Sequence, residues 1–381
     1  MTLDPGAGAS QAPARPGKHH HSIGSFEPEL GGRLDDVSLA YESWGELNSA
    51  GDNAILIVHA LTGDSHAAGE PCDEHKNGGW WAPLVGPGRP IDTDEYFVVC
   101  SNVLGGCSGS TGPGSTDPVT GEPYGSRFPI ITIRDMVRTQ KRLLDAIGVS
   151  RLALVAGGSI GGQQALEWAI EFPDFVDKAV PVAANRALGP QGLGMSELGR
   201  RAIMWDPDWQ GGDYYGTGRS PDKGLTVARM AAMLTYQSAA GQWERFGRRP
   251  ASRVALCEEF GGRFEVESYL HYQGEDIVDR FDANTYLYLL RAMDLYDAAR
   301  GYASPEEAFG RIRAELLFVG ISSDWLFPAT EVRETAEAAR RAGADAVYTE
   351  METKSGHDAF LKDWDELRTA IGPFIDNRGG F

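Results

Sequence analysis

Cysteine is scarce in this chain: Cys72, Cys100, Cys107 and Cys257 are the four among 381 residues, and no two form a Cys-x-x-Cys pair. That rules out a disulfide framework as the organising device and fits a reducing cytoplasm. Lysine is also scarce, supplying seven of the 35 basic residues, which face 54 Asp and Glu for a net charge of −19. So acidic a surface repels nucleic acid, and any anionic ligand must be drawn in by local arginines. No apolar run approaches the roughly eighteen residues of a membrane-spanning helix, so no membrane partner is expected. The N-terminus lacks a basic segment followed by an apolar stretch, so no secretory leader is read there. Residues 1–25 are poor in large apolar side chains and rich in Gly, Ala, Pro and Ser around His19-His20-His21, and they are expected to form a disordered tail. Metal binding by that histidine run is the weaker reading, and no metal site is assigned.

What is present is enough apolar material for one large core, with 42% hydrophobic and 10% aromatic residues. The most informative stretch is residues 152–162. Leu152–Ala156 is a short apolar run of the kind buried on both faces of a sheet. Gly157-x-Ser159-x-Gly161 follows at once, and Gln163–Ile170 then has helical spacing. A strand that turns sharply into a helix around a serine between glycines is a nucleophile elbow. A phosphate-binding loop would need Lys-Ser/Thr after the glycines or a G-x-G-x-x-G spacing, and neither is here.

A serine hydroxyl needs a base, and the base needs an orienting acid. In α/β-hydrolase folds these follow in the order Ser, Asp or Glu, His, each after a core strand. The strand-like run Glu315–Ile321 leads to Asp324, and Ala346–Met351 leads to the loop of His357. The other histidines lie in the tail (19–21), in a polar loop (His66, His75), away from any strand (His271), or ahead of the serine (His59). Ser159, Asp324 and His357 are therefore the candidate catalytic residues. A tight turn after the apolar strand Ala54–His59 places the backbone N–H of Leu61 as one oxyanion donor, and that of Ile160, directly after the nucleophile, as the other. Cys107 lacks a strand-to-helix setting and is expected to be structural.

Strand-like runs at Val37–Glu42, Ala54–His59, Tyr96–Ser101, Leu152–Ala156, Ala179–Ala183, Glu315–Ile321 and Ala346–Met351 alternate with helical segments such as Arg134–Ile147, Glu331–Arg341 and Asp358–Ile371. That alternation predicts an α/β fold with a mostly parallel sheet flanked by helices. Between about Asn185 and Gly301 the alternation stops, and Leu225–Tyr236, Ser268–His271 and Thr285–Tyr296 read as helices. The expected division is a tail at 1–25, a first core part at 26–184, a helical lid insertion at 185–301 and a second core part at 302–381.

The chain closely resembles the homoserine O-acetyltransferase family of the α/β-hydrolase superfamily from about residue 26 to residue 370. The resemblance is carried by His59-Ala-Leu-Thr-Gly63, Gly79-Trp-Trp81, Ile91-Asp-Thr-Asp94 and Ser101-Asn-Val-Leu-Gly-Gly-Cys107. It continues through Gly109-Ser-Thr-Gly-Pro113, Gly157–Gly162, Ala228-Arg-Met230, Arg280-Phe-Asp-Ala-Asn284, Leu326-Phe-Pro328 and Gly356-His-Asp-Ala-Phe-Leu361. It implies acetyl transfer from acetyl-CoA, as co-substrate, to L-homoserine by a ping-pong route through acyl-Ser159, with no metal or prosthetic group, in the cytoplasm and in methionine biosynthesis. It implies Arg229 and Asp358 as substrate-binding residues, with Tyr236 a further candidate, and a homodimer formed through the lid. A cation for the α-carboxylate and an anion for the α-ammonium are what an amino-acid zwitterion requires. The chain departs from the family pattern at Ile160, where Met is usual, and at Gln163, where Met or a small residue is frequent. These departures leave a succinyl donor, or serine as acceptor, open. A serine hydrolase would use the same three residues with water.

Overall fold

The computed structural model describes residues 17–71, 75–252 and 260–376. In chain order its elements are β1 (His19–Phe26), β2 (Leu34–Trp44), β3 (Ala54–Val58), β4 (Phe97–Ser101), α1 (Ile133–Ala146), β5 (Leu152–Gly158), α2 (Ile160–Glu171) and β6 (Lys178–Val182). Next come α3 (Pro190–Met204), α4 (Asp222–Tyr236), α5 (Ala239–Arg245), α6 (Glu265–Val278), α7 (Ala283–Leu295) and α8 (Pro305–Phe309). The chain then returns to the sheet with β7 (Glu315–Ile321), α9 (Ala329–Arg341), β8 (Ala346–Met351) and α10 (Trp364–Asp376).

All eight strands form one sheet in the order β1-β2-β4-β3-β5-β6-β7-β8. The pairs β1/β2 and β2/β4 are antiparallel and every other pair is parallel. Period-two alternation divides the side chains of the central strands between two cores. Leu56, Val58, Val155 and Phe318 join α1 and α2 on one face, while Ile55, Ile57, Leu154 and Val319 join Trp81 and α10 on the other. Burial on both faces is why β3, β5 and β7 read as unbroken apolar runs. α1 starts at a reciprocal cap, in which Thr132 accepts from the Asp135 N–H and Asp135 accepts from the Thr132 N–H.

Two expectations are corrected. The histidine run is a strand, not disordered tail: His19, His20 and His21 pair with Tyr41, Ala40 and Leu39. Half-burial alternates through His19, His21 and Ile23, so imidazoles take positions where a search for apolar residues finds almost nothing. The remainder of the expected tail, 1–16, lies outside the described residues. The helix expected over 358–371 is broken in two, a 3₁₀ turn at Gly356–Leu361 and then α10. Asp363 causes the break, because its carboxylate accepts from the hydroxyls of Thr353 and Ser355 while its carbonyl accepts from the Leu367 N–H. The segment 185–301 contributes no strand to the sheet among the described residues and carries α3 to α7, of which α3 and α5 are absent from the sequence reading.

Candidate active site

Three loops and one turn at the carboxyl ends of β3, β5, β7 and β8 converge, which is where ligands bind in parallel α/β sheets. Ser159, between β5 and α2, has φ 61° and ψ −127°. A non-glycine residue held there stores roughly 1–3 kcal/mol of strain, so the surroundings must enforce it. They do: the Ser159 N–H donates to Val182 O at 2.9 Å, and its carbonyl accepts from the Gln163 N–H at 3.0 Å. The flanking glycines are dictated by close approach to β3. A Cβ at Gly157 would lie 2.4 Å from Val58 O, and one at Gly161 would lie 2.3 Å from the same atom.

Residues 60–63 form a turn closed by the Gly63 N–H donating to Ala60 O at 2.9 Å. Its first carbonyl is also held by His59, whose Nδ1 lies 2.8 Å from Ala60 O and whose Nε2 accepts from the Val103 N–H at 3.1 Å. Burial lowers the His59 pKa, which suits a neutral ring that donates at one nitrogen and accepts at the other. Among the described residues the Leu61 N–H donates to no group, and Ile160 opens α2 with one of the helix's unpaired N–H groups. Both are available to an oxyanion. His59 is thus a brace for this turn, a role its sequence position alone did not reveal.

His357 Nδ1 lies 2.6 Å from Asp324 Oδ2, and Asp324 Oδ1 accepts from the N–H groups of Leu326 and Phe327 at 2.9 and 3.0 Å. A carboxylate fixed by two backbone donors makes Nδ1 the protonated nitrogen of a neutral ring and leaves the Nε2 lone pair free to accept a proton. That Nε2 is buried and has no partner among the described residues. The ring lies between aromatic neighbours: Phe327 stacks at 5.3 Å, Phe360 meets it edge-on at 5.6 Å, and Tyr236 lies at 5.8 Å. Burial pushes the His357 pKa down, but the charge and bond of Asp324, aided by Asp358, outweigh it and leave the value raised.

The helical insertion contributes Arg229 and Tyr236 from α4. Arg229 is 8% exposed, its Nε is buried without a partner among the described residues, and its Nη1 makes only a long 3.4 Å bond to Thr62 Oγ1. Its guanidinium lies 5.6 Å from the centre of the Tyr236 ring. Burial raises the Tyr236 pKa, with Arg229 opposing and Asp358 reinforcing, so both charges reach its hydroxyl. Asp358 pairs with the Lys362 ammonium at 2.8 Å, and with Lys362 44% exposed, that partner can give way to another ammonium. The structure therefore gathers Ser159, Asp324, His357, Leu61 and Ile160 at the strand ends, with Tyr236 and Asp358 beside His357 and Arg229 beside Tyr236. Gln163, one turn into α2, is fully buried with neither amide atom partnered among the described residues.

Two other polar clusters stand apart. Glu42, His66 and His75 place possible metal-ligand atoms within 4.8 Å of one another. The two rings stack at 4.1 Å and 5° from parallel, so their in-plane lone pairs run side by side and do not converge on one point. Glu42 accepts from Ser65 Oγ at 2.7 Å and lies 2.8 Å from His66 Nδ1, so the cluster as arranged braces the loop behind the 60–63 turn. A groove of about 560 Å³ lies at the opposite ends of β5 to β7 and is lined by Arg151, Asp174, Asp177 and Arg313. Arg151 pairs with Asp177 and Arg313 with Asp174, and the remaining charged lining, Lys178 and Glu315, is balanced in sign, so this groove at the far end of the strands from the elbow carries no net charge.

Comparison with known proteins agrees with this fold. The family profile described as alpha/beta hydrolase fold matches residues 53–363. A homoserine O-acetyltransferase of Symbiobacterium thermophilum is 53% identical over 91% of this chain and 91% of its own. Among solved structures, a homoserine O-acetyltransferase from Bacillus anthracis superposes with a TM-score of 0.88 at 29% identity, over 96% of this chain and 99% of that one. Esterase E22 superposes with a TM-score of 0.87 at 28% identity, over 95% of this chain and 100% of that one. With an α/β-hydrolase fold throughout and about half its residues shared with such a relative, the chain belongs to the homoserine O-acetyltransferase family, acyltransferase enzymes of the α/β-hydrolase superfamily.

Proposed function

We propose that this enzyme transfers the acetyl group of acetyl-CoA to the γ-hydroxyl of L-homoserine through an acyl-Ser159 intermediate. His357 Nε2 takes the Ser159 proton as Oγ attacks the thioester carbonyl. The Leu61 and Ile160 N–H groups receive the oxyanion, and collapse expels coenzyme A as the thiol, protonated by His357. Homoserine then enters, His357 takes its γ-hydroxyl proton, and the alkoxide attacks the ester. Collapse returns the proton to Ser159 and releases O-acetyl-L-homoserine, which methionine biosynthesis consumes. Asp324 stabilises the imidazolium that forms in each half-reaction. Acetyl-CoA is a co-substrate in this scheme, and no metal or prosthetic group takes part.

The observation that carries the acceptor assignment is the buried, under-bonded Arg229 guanidinium beside Tyr236 and the Asp358–His357 corner. A buried cation with an idle donor is costly unless an anion completes it. An α-carboxylate on Arg229 and an α-ammonium on Asp358 complete both charges and point the side chain of the amino acid toward the acyl-serine. The insertion then acts as a lid. Large exposed apolar side chains concentrate on it, among them Leu198, Trp205, Val227, Leu234 and Tyr272, which favours a homodimer formed through the lid. No helix among the described residues is long and apolar enough to cross a membrane. The scarcity of cysteine and a CoA thioester as co-substrate favour a cytoplasmic enzyme.

The likeness to esterase E22 gives a second reading, with water as acceptor. Thiol release from acetyl-CoA, followed with and without homoserine, separates the two. Release that requires homoserine supports transfer, and equal release into water supports hydrolysis.

A further inference from the structure

The 60–63 turn that carries Leu61 is held from two sides. From the sheet side, His59 and Gly63 fix Ala60 O. From the insertion side, two arginines reach Thr62: Arg229 Nη1 bonds its hydroxyl at 3.4 Å, and Arg280 Nη1 donates to its carbonyl at 3.2 Å. These grips differ in kind. Arg229 is buried and is the cation assigned above to the acceptor carboxylate, so its long bond to Thr62 is the one exchanged when an anion arrives. Arg280 lies in the link between α6 and α7, and Asp276 on the preceding turn of α6 holds its Nε at 3.1 Å, aiming the guanidinium at the turn.

We propose that Arg280 is a positioning residue of the oxyanion hole: by holding Thr62 O it fixes the turn that aims the Leu61 N–H, and it keeps that aim when Arg229 releases Thr62 to bind the acceptor. A charge-assisted bond to a carbonyl is stronger than a neutral one. A turn freed on that side lets the Leu61 donor drift, and oxyanion stabilisation depends on donors already in place. Arg280 touches neither the nucleophile nor the base, so it acts only through the turn. The inference rests on the acyl-Ser159 reading.

The test uses the full-length enzyme with p-nitrophenyl acetate as acyl donor, so that neither acetyl-CoA nor homoserine is needed. Arg280→Met removes the donor at nearly constant length, Arg280→Lys restores one, and Asp276→Ala removes the group that aims it. The acylation burst of Arg280→Met should slow roughly 10-fold, a fraction of the hundredfold that an ångström of misplacement costs. Affinity for a trifluoromethyl ketone, whose adduct with serine places an oxyanion in the same hole, should fall in parallel while the melting temperature holds. Arg280→Lys should recover part of both, and Asp276→Ala should show a smaller loss of the same kind. An unchanged burst and ketone affinity in Arg280→Met would overturn the proposal. So would a defect seen only when acetyl-CoA replaces p-nitrophenyl acetate as donor, which would assign Arg280 to donor binding. If Arg280→Met melts early, Asp276→Ala decides by the same two readouts. A burst that survives Ser159→Ala would refute the acyl-serine reading itself, an outcome distinct from any of these.

Discussion

The carboxyl ends of the sheet and the helical insertion above them supply different kinds of precision. Ser159 and Asp324 follow strands paired on both sides, β5 and β7, and His357 follows the edge strand β8, whose register is fixed along its length by β7, so their geometry comes with the sheet. Arg229, Tyr236 and Arg280 sit on or between helices that touch the sheet layer through a few side-chain bonds, such as those to Thr62. In the proposed scheme the first region performs one reaction step twice. The second can change which molecule completes it without disturbing the first. On this view the strand ends set the chemistry, and the insertion sets the acceptor.

The largest expected effect breaks the strand-end region alone. Ser159→Ala should lower acyl transfer by roughly 10⁴-fold or more, as removal of a covalent nucleophile does. It should leave the melting temperature near that of the wild type, since no core contact is lost. A residual rate within tenfold of wild type would place the nucleophile elsewhere.

Asp324→Asn comes next, with a loss of roughly 10³- to 10⁴-fold, because the amide cannot stabilise the imidazolium and favours the wrong tautomer. It also carries a pH signature. His357 must be neutral to act as base, and its pKa is raised, against burial, by Asp324. In the wild type kcat/KM should therefore fall as pH drops through a value above the ordinary histidine 6.5. Removing Asp324 removes the main raising influence, so the acid limb of the variant should move to lower pH. A limb that stays in place would mean a different group controls it.

Legibility in the sequence follows the same division. The elbow was readable because β3 approaches so closely that only glycine fits at 157 and 161. Asp324 and His357 were readable because each follows a run of strand-like residues that the sheet requires. Strand β1 was not readable, since an edge strand half-buried through histidines shows no apolar alternation. The break at Asp363 depends on hydroxyls eight and ten residues earlier, a contact no local pattern encodes. In the insertion, Arg229 stood out through family resemblance alone, because an arginine on an amphipathic helix looks like any surface arginine until its burial is seen. Arg280 lay inside a family block with no role attached to it, and His59 was set aside for preceding the serine.

Arg229→Ala sharpens the comparison by striking only the insertion. Acetylation of Ser159 should stay within a fewfold of wild type, while deacylation by homoserine should slow roughly a hundredfold, the scale of losing a desolvated charge partner. L-Serine, one methylene shorter, should be a poorer acceptor by about the same factor, because its hydroxyl stops short of the acyl carbon. Equal rates with the two amino acids would assign the enzyme a serine-accepting role, and a loss confined to acetylation would move Arg229 to the donor site.

The smallest effect concerns the whole surface. With a net charge of −19, added salt should leave capture of anionic acetyl-CoA unchanged or raise it up to roughly threefold, by screening repulsion. A steep fall between low and physiological salt would show that a local basic patch steers the donor instead.

The most direct test of the division between strand ends and insertion is a single-turnover chase. The enzyme is mixed with acetyl-CoA, the acetylated peptide is identified by mass, and decay of the adduct is followed after addition of buffer, L-serine or L-homoserine. The account predicts acetyl on the peptide containing Ser159, slow decay in buffer, intermediate decay with serine and fast decay with homoserine. An adduct on another residue, or decay in buffer as fast as with homoserine, would contradict it.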